Sequence, residues 1–179
     1  MAERESGKKL QSDRRALFIS LRRFIRSQAV LKAMERVPRE LFVPIAERSK
    51  AYMDIALAIG EGQTISQPYI VALITEALRL QPTDRVLEVG AGSGYQAAVL
   101  AELVPDSKIV TVELIRSLAQ RARETLDRNG YMNVIVEDAT EILGCPERGP
   151  YEAIVVSAAV PTLSPSFLAP FTLGCRIVV

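Results

Sequence analysis

Three glycines at alternate positions, Gly90, Gly92 and Gly94, follow the short run Val86-Leu87-Glu88-Val89 and precede the stretch Ala97-Ala98-Val99-Leu100-Ala101. That order dictates a strand buried on both faces, a sharp turn and a tightly packed helix. Without Cβ atoms in the way, a ligand can lie against the turn, and the helix N-terminus offers it free N–H groups and a positive dipole end. The chemistry expected is binding of a nucleotide-type cofactor. A dinucleotide fingerprint requires its third glycine or alanine one residue later, where this chain has Tyr95, so a nicotinamide dehydrogenase fits poorly.

Glu113 ends the next apolar run, Ile109-Val110-Thr111-Val112, about 20 residues beyond the glycines, where an acidic side chain can accept hydrogen bonds from both hydroxyls of a ribose. The glycine spacing itself resembles motif I of the S-adenosylmethionine-dependent methyltransferases. A structural strand-turn-helix with an acid closing a strand is the bland alternative. Asp138, after Val134-Ile135-Val136, reads either as a turn residue or as an acceptor for an adenine amino group. Ser66 is either the N-cap of the helix that follows it, with Pro68 in the first turn, or a hydroxyl that binds a carboxylate or cofactor group.

With 179 residues, 49% hydrophobic and 24% charged, the chain has the composition of one soluble globular domain with a real core. A net charge of +1 argues against an electrostatically driven nucleic-acid binder, and no run reaches the length of a membrane span. Cys145 and Cys175 are the only cysteines and no secretory segment opens the chain, so a reduced cytoplasmic protein is expected. The chain has no histidine, which removes Ser-His-Asp and Cys-His catalysis and every histidine-bearing metal site. No metal is expected.

Met1–Ser12 is polar and aperiodic and reads as a frayed arm, and residues 13–80 read as a helical and loop region. Leu17, Leu21, Phe24, Ile25, Val30, Leu31 and Met34 predict one or two helices. Their arginines, Arg14 to Arg26, read as a solvated face. Pro38 and Pro44 make the segment between them a connector. The stretch Gly60-Glu61-Gly62-Gln63-Thr64-Ile65-Ser66-Gln67-Pro68-Tyr69 reads as a loop that delivers side chains to a site, ahead of a helix from Tyr69 to Leu80. Beyond residue 81 strands and helices alternate: a helix over Leu114–Arg128 stopped by Asn129-Gly130, a fourth strand over Tyr151–Ser157 and a fifth from Gly174. An α/β domain with a parallel, right-handedly connected sheet follows, and Gly90, Glu113, Asp138 and Ser157 all fall at the carboxyl ends of its strands.

The segments Val37-Pro38-Arg39-Glu40, Phe42-Val43-Pro44, Ala51-Tyr52, Gln63-Thr64-Ile65-Ser66-Gln67-Pro68-Tyr69, Val86 to Gln96 and Pro150-Tyr151 together resemble the protein-L-isoaspartate (D-aspartate) O-methyltransferases. The resemblance runs from about Leu31 to the last residue, and the Gln-Thr-Ile-Ser-Gln-Pro segment is its most specific part. It implies a Rossmann-like, doubly wound, mostly parallel sheet of the class I methyltransferase type. It implies S-adenosylmethionine as cofactor, S-adenosylhomocysteine as product, and isoaspartyl-containing proteins as substrate, methylated on the free α-carboxylate to start their repair. Carried over, the family pattern makes Ser66 the active-site serine and gives Gln63, Thr64 and Ile65 cofactor or substrate contacts. It places Glu88, Gly90, Gly92 and Gly94 along the cofactor's methionyl side, Glu113 on the ribose, and Asp138 with Ala139 at the adenine.

The chain departs from the family at Ala139 and Cys175, where glycines are usual, and at Val179, where it stops inside the fifth strand while the family continues with further strands. A truncated product or fragment lacking the C-terminal strands is the expectation. The alternative function is a degenerate methyltransferase fold that binds cofactor or a protein partner without turnover. Ser157-Ala158-Ala159-Val160-Pro161 lacks the Asn/Asp-Pro-Pro-aromatic motif of many amino-methylating enzymes, which disfavours a nucleic-acid or small-molecule substrate.

Overall fold

A computed structural model of the chain describes residues 2–140, 145–158 and 171–179, with 2–6 and 171–173 described by backbone alone. Helices α1 (Ala2–Leu21) and α2 (Gln28–Arg36) open it, and a hairpin of β1 (Leu57–Gly60) and β2 (Gln63–Ile65) leads to α3 (Pro68–Leu78). Then follow β3 (Val86–Val89), α4 (Tyr95–Leu103), β4 (Ile109–Glu113), α5 (Arg116–Arg128), β5 (Val134–Asp138), β6 (Tyr151–Val156) and β7 (Phe171–Val178). The last five strands form one parallel sheet in the order β5-β4-β3-β6-β7. The expected parallel α/β architecture is the observed one, and the order in which successive strands are added reverses at β3: β4 and β5 lie on one side of it, β6 and β7 on the other. That reversal is the topological switch point at which such sheets bind ligands.

Why the strands read as unbroken apolar runs is visible in their burial: every residue of β3 and β4 is buried. Successive side chains divide between two cores. Val86, Ile109, Ala153 and Val155 join the larger cluster, which holds buried apolar residues from each of the described helices α1 to α5; Leu87, Val89, Val110, Val112, Ile154 and Val156 face the other way, toward Tyr151 and Cys145. Helix α5 shows the two-sided case, burying Leu118, Ala119, Ala122 and Leu126 while Arg116, Arg121, Glu124, Asp127 and Arg128 face outward. Helix α4 is buried along almost its whole length, from Tyr95 to Ala101, which accounts for the unbroken apolar run Ala97–Ala101 after Gln96.

Several expectations change. Residues 2–12 are helical rather than a frayed arm: α1 runs from Ala2, because alanine, glutamate, arginine, lysine and glutamine favour a helix without apolar periodicity. The segment expected as a loop, Gly60–Tyr69, holds the turn and second strand of the β1–β2 hairpin, with Leu57 opposite Ile65 and Ala58 opposite Thr64. Its turn holds Gly60, Glu61 and Gly62 all at positive φ (90°, 55° and 68°), which is what the glycines supply. The later helices begin at Pro68 rather than Tyr69 and at Arg116 rather than Leu114. The fifth parallel strand begins at Phe171, not Gly174, which lies inside it at φ 86° where the register against β6 is irregular. The expectation for Ala159-Val160-Pro161 lies outside the described residues.

Candidate active site

At the carboxyl ends of β3, β4 and β6 a cavity of about 250 Å³ opens against the hairpin and the start of α3. One wall belongs to the sheet. Gly90 takes φ 98°, and a Cβ there would lie 2.8 Å from the Cβ of Ala158, so both the backbone angle and the end of β6 require glycine. The N–H groups of Gly90 and Ala91 both donate to the carbonyl of Val112, which ties the turn to β4. Gly92 (φ 53°) lines the cavity beside Ile59 of the hairpin. Gly94 serves a different purpose: at φ 83° it caps α4, and its missing side chain leaves room for Leu126 of α5, 3.2 Å from where a Cβ would sit.

Two carboxylates stand in this wall. Glu113 accepts hydrogen bonds from Gly92 N–H on Oε2 (2.8 Å) and from Ile115 N–H on Oε1 (3.0 Å). Backbone donors therefore orient it toward the cavity, and each oxygen retains a lone pair for a ribose hydroxyl. Glu88 is fully buried, opposite Thr111 in the β3–β4 register, and its Oε2 accepts the Thr111 hydroxyl at 2.6 Å. Its Oε1 is buried without a hydrogen-bond partner. Desolvation first, and the Glu113 charge after it, push Glu88 up to about 8, against the lowering by the Thr111 hydrogen bond. An acid with an unsatisfied buried oxygen on a cavity wall is suited to a cation that compensates it.

The other wall is the hairpin and the turn into α3, which bring Gln63, Thr64, Ile65 and Ser66 to the same cavity. Ser66 is not the N-cap; that position is Gln67, without a side-chain capping bond. Ser66 Oγ makes no hydrogen bond among the described residues, and the hydroxyl is left on the cavity surface. Gln96 completes the floor, its Nε2 donating to Thr75 Oγ1 (2.8 Å), which donates in turn to Val71 O (2.7 Å).

Of the residues singled out in the sequence, Gln63, Thr64, Ile65, Ser66, Glu88, Gly90, Gly92, Glu113 and Ser157 converge on this cavity. Gly94, Asp138 and Ala139 do not line it. Asp138 sits next to Glu113 in the β4–β5 register, but its Oδ1 accepts from Arg123 Nη2 at 2.7 Å and its side chain is half-exposed. Ala139 N–H donates to Glu113 O at 2.8 Å, so both residues stand just beyond the ribose-side acid. Sequence reasoning missed Arg39. Its guanidinium is fully buried and donates to three backbone carbonyls, Ser66 among them. A charged residue within a connector bounded by Pro38 and Pro44 was the available signal.

A model of the protein-L-isoaspartate (D-aspartate) O-methyltransferase family matches residues 12–179. The chain belongs to that family. A protein-L-isoaspartate O-methyltransferase of Roseiflexus sp. (strain RS-1) is 55% identical over 151 residues, covering 84% of this chain and 68% of the relative. A solved protein-L-isoaspartate O-methyltransferase superposes with a TM-score of 0.84 at 33% identity, covering 93% of this chain. The match spans only about half of that solved chain, 54% of its length. A structure from Plasmodium falciparum in complex with S-adenosyl-L-homocysteine has a TM-score of 0.81 at 23% identity, covering 93% of this chain and 83% of its own, a likeness of fold. Within this protein-L-isoaspartate O-methyltransferase fold, the cavity lies at the switch point between β3 and β6.

Proposed function

We propose that this chain transfers a methyl group from S-adenosylmethionine to the free α-carboxylate of L-isoaspartyl and D-aspartyl residues in damaged proteins. The observation that carries the reading is one cavity with an acid-lined, glycine-rich turn on one wall and, on the other, a Ser66 hydroxyl without a partner among the described residues. The residues present fit the cofactor. Glu113 would hold the ribose hydroxyls, the Gly90–Gly92 turn would accept the methionyl part, and Glu88 would face its positive charge. When bound, the cofactor supplies an activated methyl on a sulfonium; transfer to a carboxylate oxygen breaks the sulfur–methyl bond, leaves the electron pair on sulfur and yields the methyl ester.

The carboxylate is ionised near neutral pH, so no general base is needed, which suits a chain without histidine. The protein's task is positioning and exclusion of water. Ser66 Oγ donates to the substrate carboxylate and orients it rather than attacking it. Gln63 and Thr64, on the exposed strand of the hairpin, bind the cofactor or the peptide backbone beside it. Asp138 and Ala139 border the adenine end, with Asp138 positioned by Arg123. No described helix is long and apolar enough to cross a membrane. We place the activity in the cytoplasm, which suits two free cysteines, Cys145 and Cys175.

The test is transfer of labelled methyl from S-adenosylmethionine to a peptide containing isoaspartate, beside the same peptide containing aspartate. Base-labile label on the isoaspartyl peptide alone is expected. Label on neither, with cofactor bound, would replace this reading by a cofactor-binding module without turnover.

A further inference from the structure

The cavity poses an electrostatic problem for an anionic substrate. Glu88 and Glu113 both line it, and among its described lining residues there is no lysine or arginine. Glu113, joined by Glu88 once a cation draws off its proton, suits a cationic cofactor but repels a carboxylate. Directly behind the Ser66 wall, however, lies one buried cation. Arg39 Nη2 donates to Ser66 O at 2.8 Å and to Ile55 O at 3.5 Å, while its Nε donates to Ala51 O at 2.9 Å. The guanidinium carbon lies 5.0 Å from the ring centroid of Tyr95, which lines the cavity as the first residue of α4. Arg39 therefore touches both walls at once.

No carboxylate is within ion-pairing distance of this guanidinium among the described residues, and its Nη1 is buried without a partner. The acid that influences it, Asp54, spends one oxygen on the Tyr69 N–H at 2.8 Å. Desolvation acts against its charge, yet an arginine does not give up its proton inside a protein. The result is a desolvated positive charge without a direct ion pair, offset only in part by Asp54, whose field falls off slowly through a low-dielectric wall.

We propose that Arg39 is a positioning residue that supplies the counter-charge for the substrate carboxylate at Ser66, and that it does so from behind the backbone rather than by contact. The proposal rests on the carboxyl-methylating reading above. Placement behind the wall has a chemical reason. A cation bonded directly to the carboxylate would stabilise the nucleophile in its ground state and slow its attack, whereas a field from one layer away draws the anion in and leaves its oxygen free.

Discrimination between an isoaspartyl peptide and the same peptide with its α-carboxylate converted to carboxamide reads this charge directly. The parent protein, loaded with S-adenosylhomocysteine, binds the carboxylate form more tightly. In Arg39→Met that preference falls by roughly tenfold, while affinity for S-adenosylhomocysteine changes by less than about threefold. Arg39→Lys keeps the charge but loses the three-carbonyl fork, so it retains the preference and lowers kcat. An unchanged preference in a folded Arg39→Met protein overturns the proposal. Should that variant not fold, the Lys variant decides, since loss of preference with the charge kept overturns it equally. A parent that methylates the isoaspartyl peptide but binds both peptides alike also overturns it, whereas a parent that methylates neither peptide removes the functional reading instead.

Discussion

The two walls of the cavity are built in opposite ways. The sheet wall is local: β3, the Gly90–Gly94 turn and the start of α4 are consecutive, and its acids stand on adjacent paired strands, Glu88 opposite Thr111 and Glu113 at the end of β4. The hairpin wall is assembled from a distance. Ser66 is held through its carbonyl by Arg39, 27 residues earlier, and the hairpin is anchored by Arg121 of α5, whose Nη2 donates to Ile59 O at 2.8 Å from 62 residues away. A site can thus carry one half that any chain with the right short motif would form, and another that exists only when several elements pack. The cofactor half corresponds to the first and the substrate half to the second.

Substitutions separate the two halves. Ser66→Ala is expected to lower kcat/KM for an isoaspartyl peptide by about 10²-fold, as loss of one oriented donor does, with cofactor affinity within about twofold. Because Ser66 caps no helix, its thermal stability should stay within about 0.5 kcal/mol of the parent. Turnover comparable to the parent would end the assignment of Ser66. Gly90→Ala acts on the other wall and through stability. A left-handed φ and a 2.8 Å approach to Ala158 predict a loss of roughly 2 kcal/mol in denaturant unfolding, with weakened cofactor binding. A folded, fully stable variant would mean that the turn is free to relax.

Glu88 gives a pH signature confined to the sheet wall. Its folded-state pKa, about 8, lies above the ordinary value of 4.5, so the native state holds a proton that the unfolded chain releases first. Stability without ligand should therefore fall between about pH 5 and pH 8 and level off above, and Glu88→Gln should flatten that slope. A cationic ligand favours the ionised form, so affinity for S-adenosylmethionine should rise over the same interval. A parent and variant with parallel profiles would show that Glu88 is already ionised in the empty cavity. The smallest effect is expected at Asp138. Its pair with Arg123 is largely solvent-exposed, so Asp138→Ala should change stability by less than about 1 kcal/mol. Its readout is cofactor affinity, and no change there would leave Asp138 a partner of Arg123 alone.

Residue order by itself determined the sheet wall. The β3 run, the glycine spacing, the acid ending β4 and the alternation of strands with helices are local patterns whose period and turn chemistry admit one parallel architecture. Ser66 was visible as a polar residue before a helix with Pro68 in its first turn, where position alone favours a cap and only the family resemblance favours a functional hydroxyl; the helix start at Pro68, with Gln67 at the cap position, released it from capping. The β1–β2 hairpin was hidden because its strands are four and three residues long, with Leu57 and Ile59 the only apolar alternation on the first. The helix over the N-terminal residues escaped for want of periodicity. Tertiary structure alone decided Arg39, Glu88 and Asp138: a guanidinium closing on carbonyls up to 27 residues away, a carboxyl left with one bare oxygen between Thr111 and the cavity, and an aspartate claimed by Arg123. Charge, burial and hydrogen-bond satisfaction are properties of what surrounds a group in space, and no spacing along the chain encodes them.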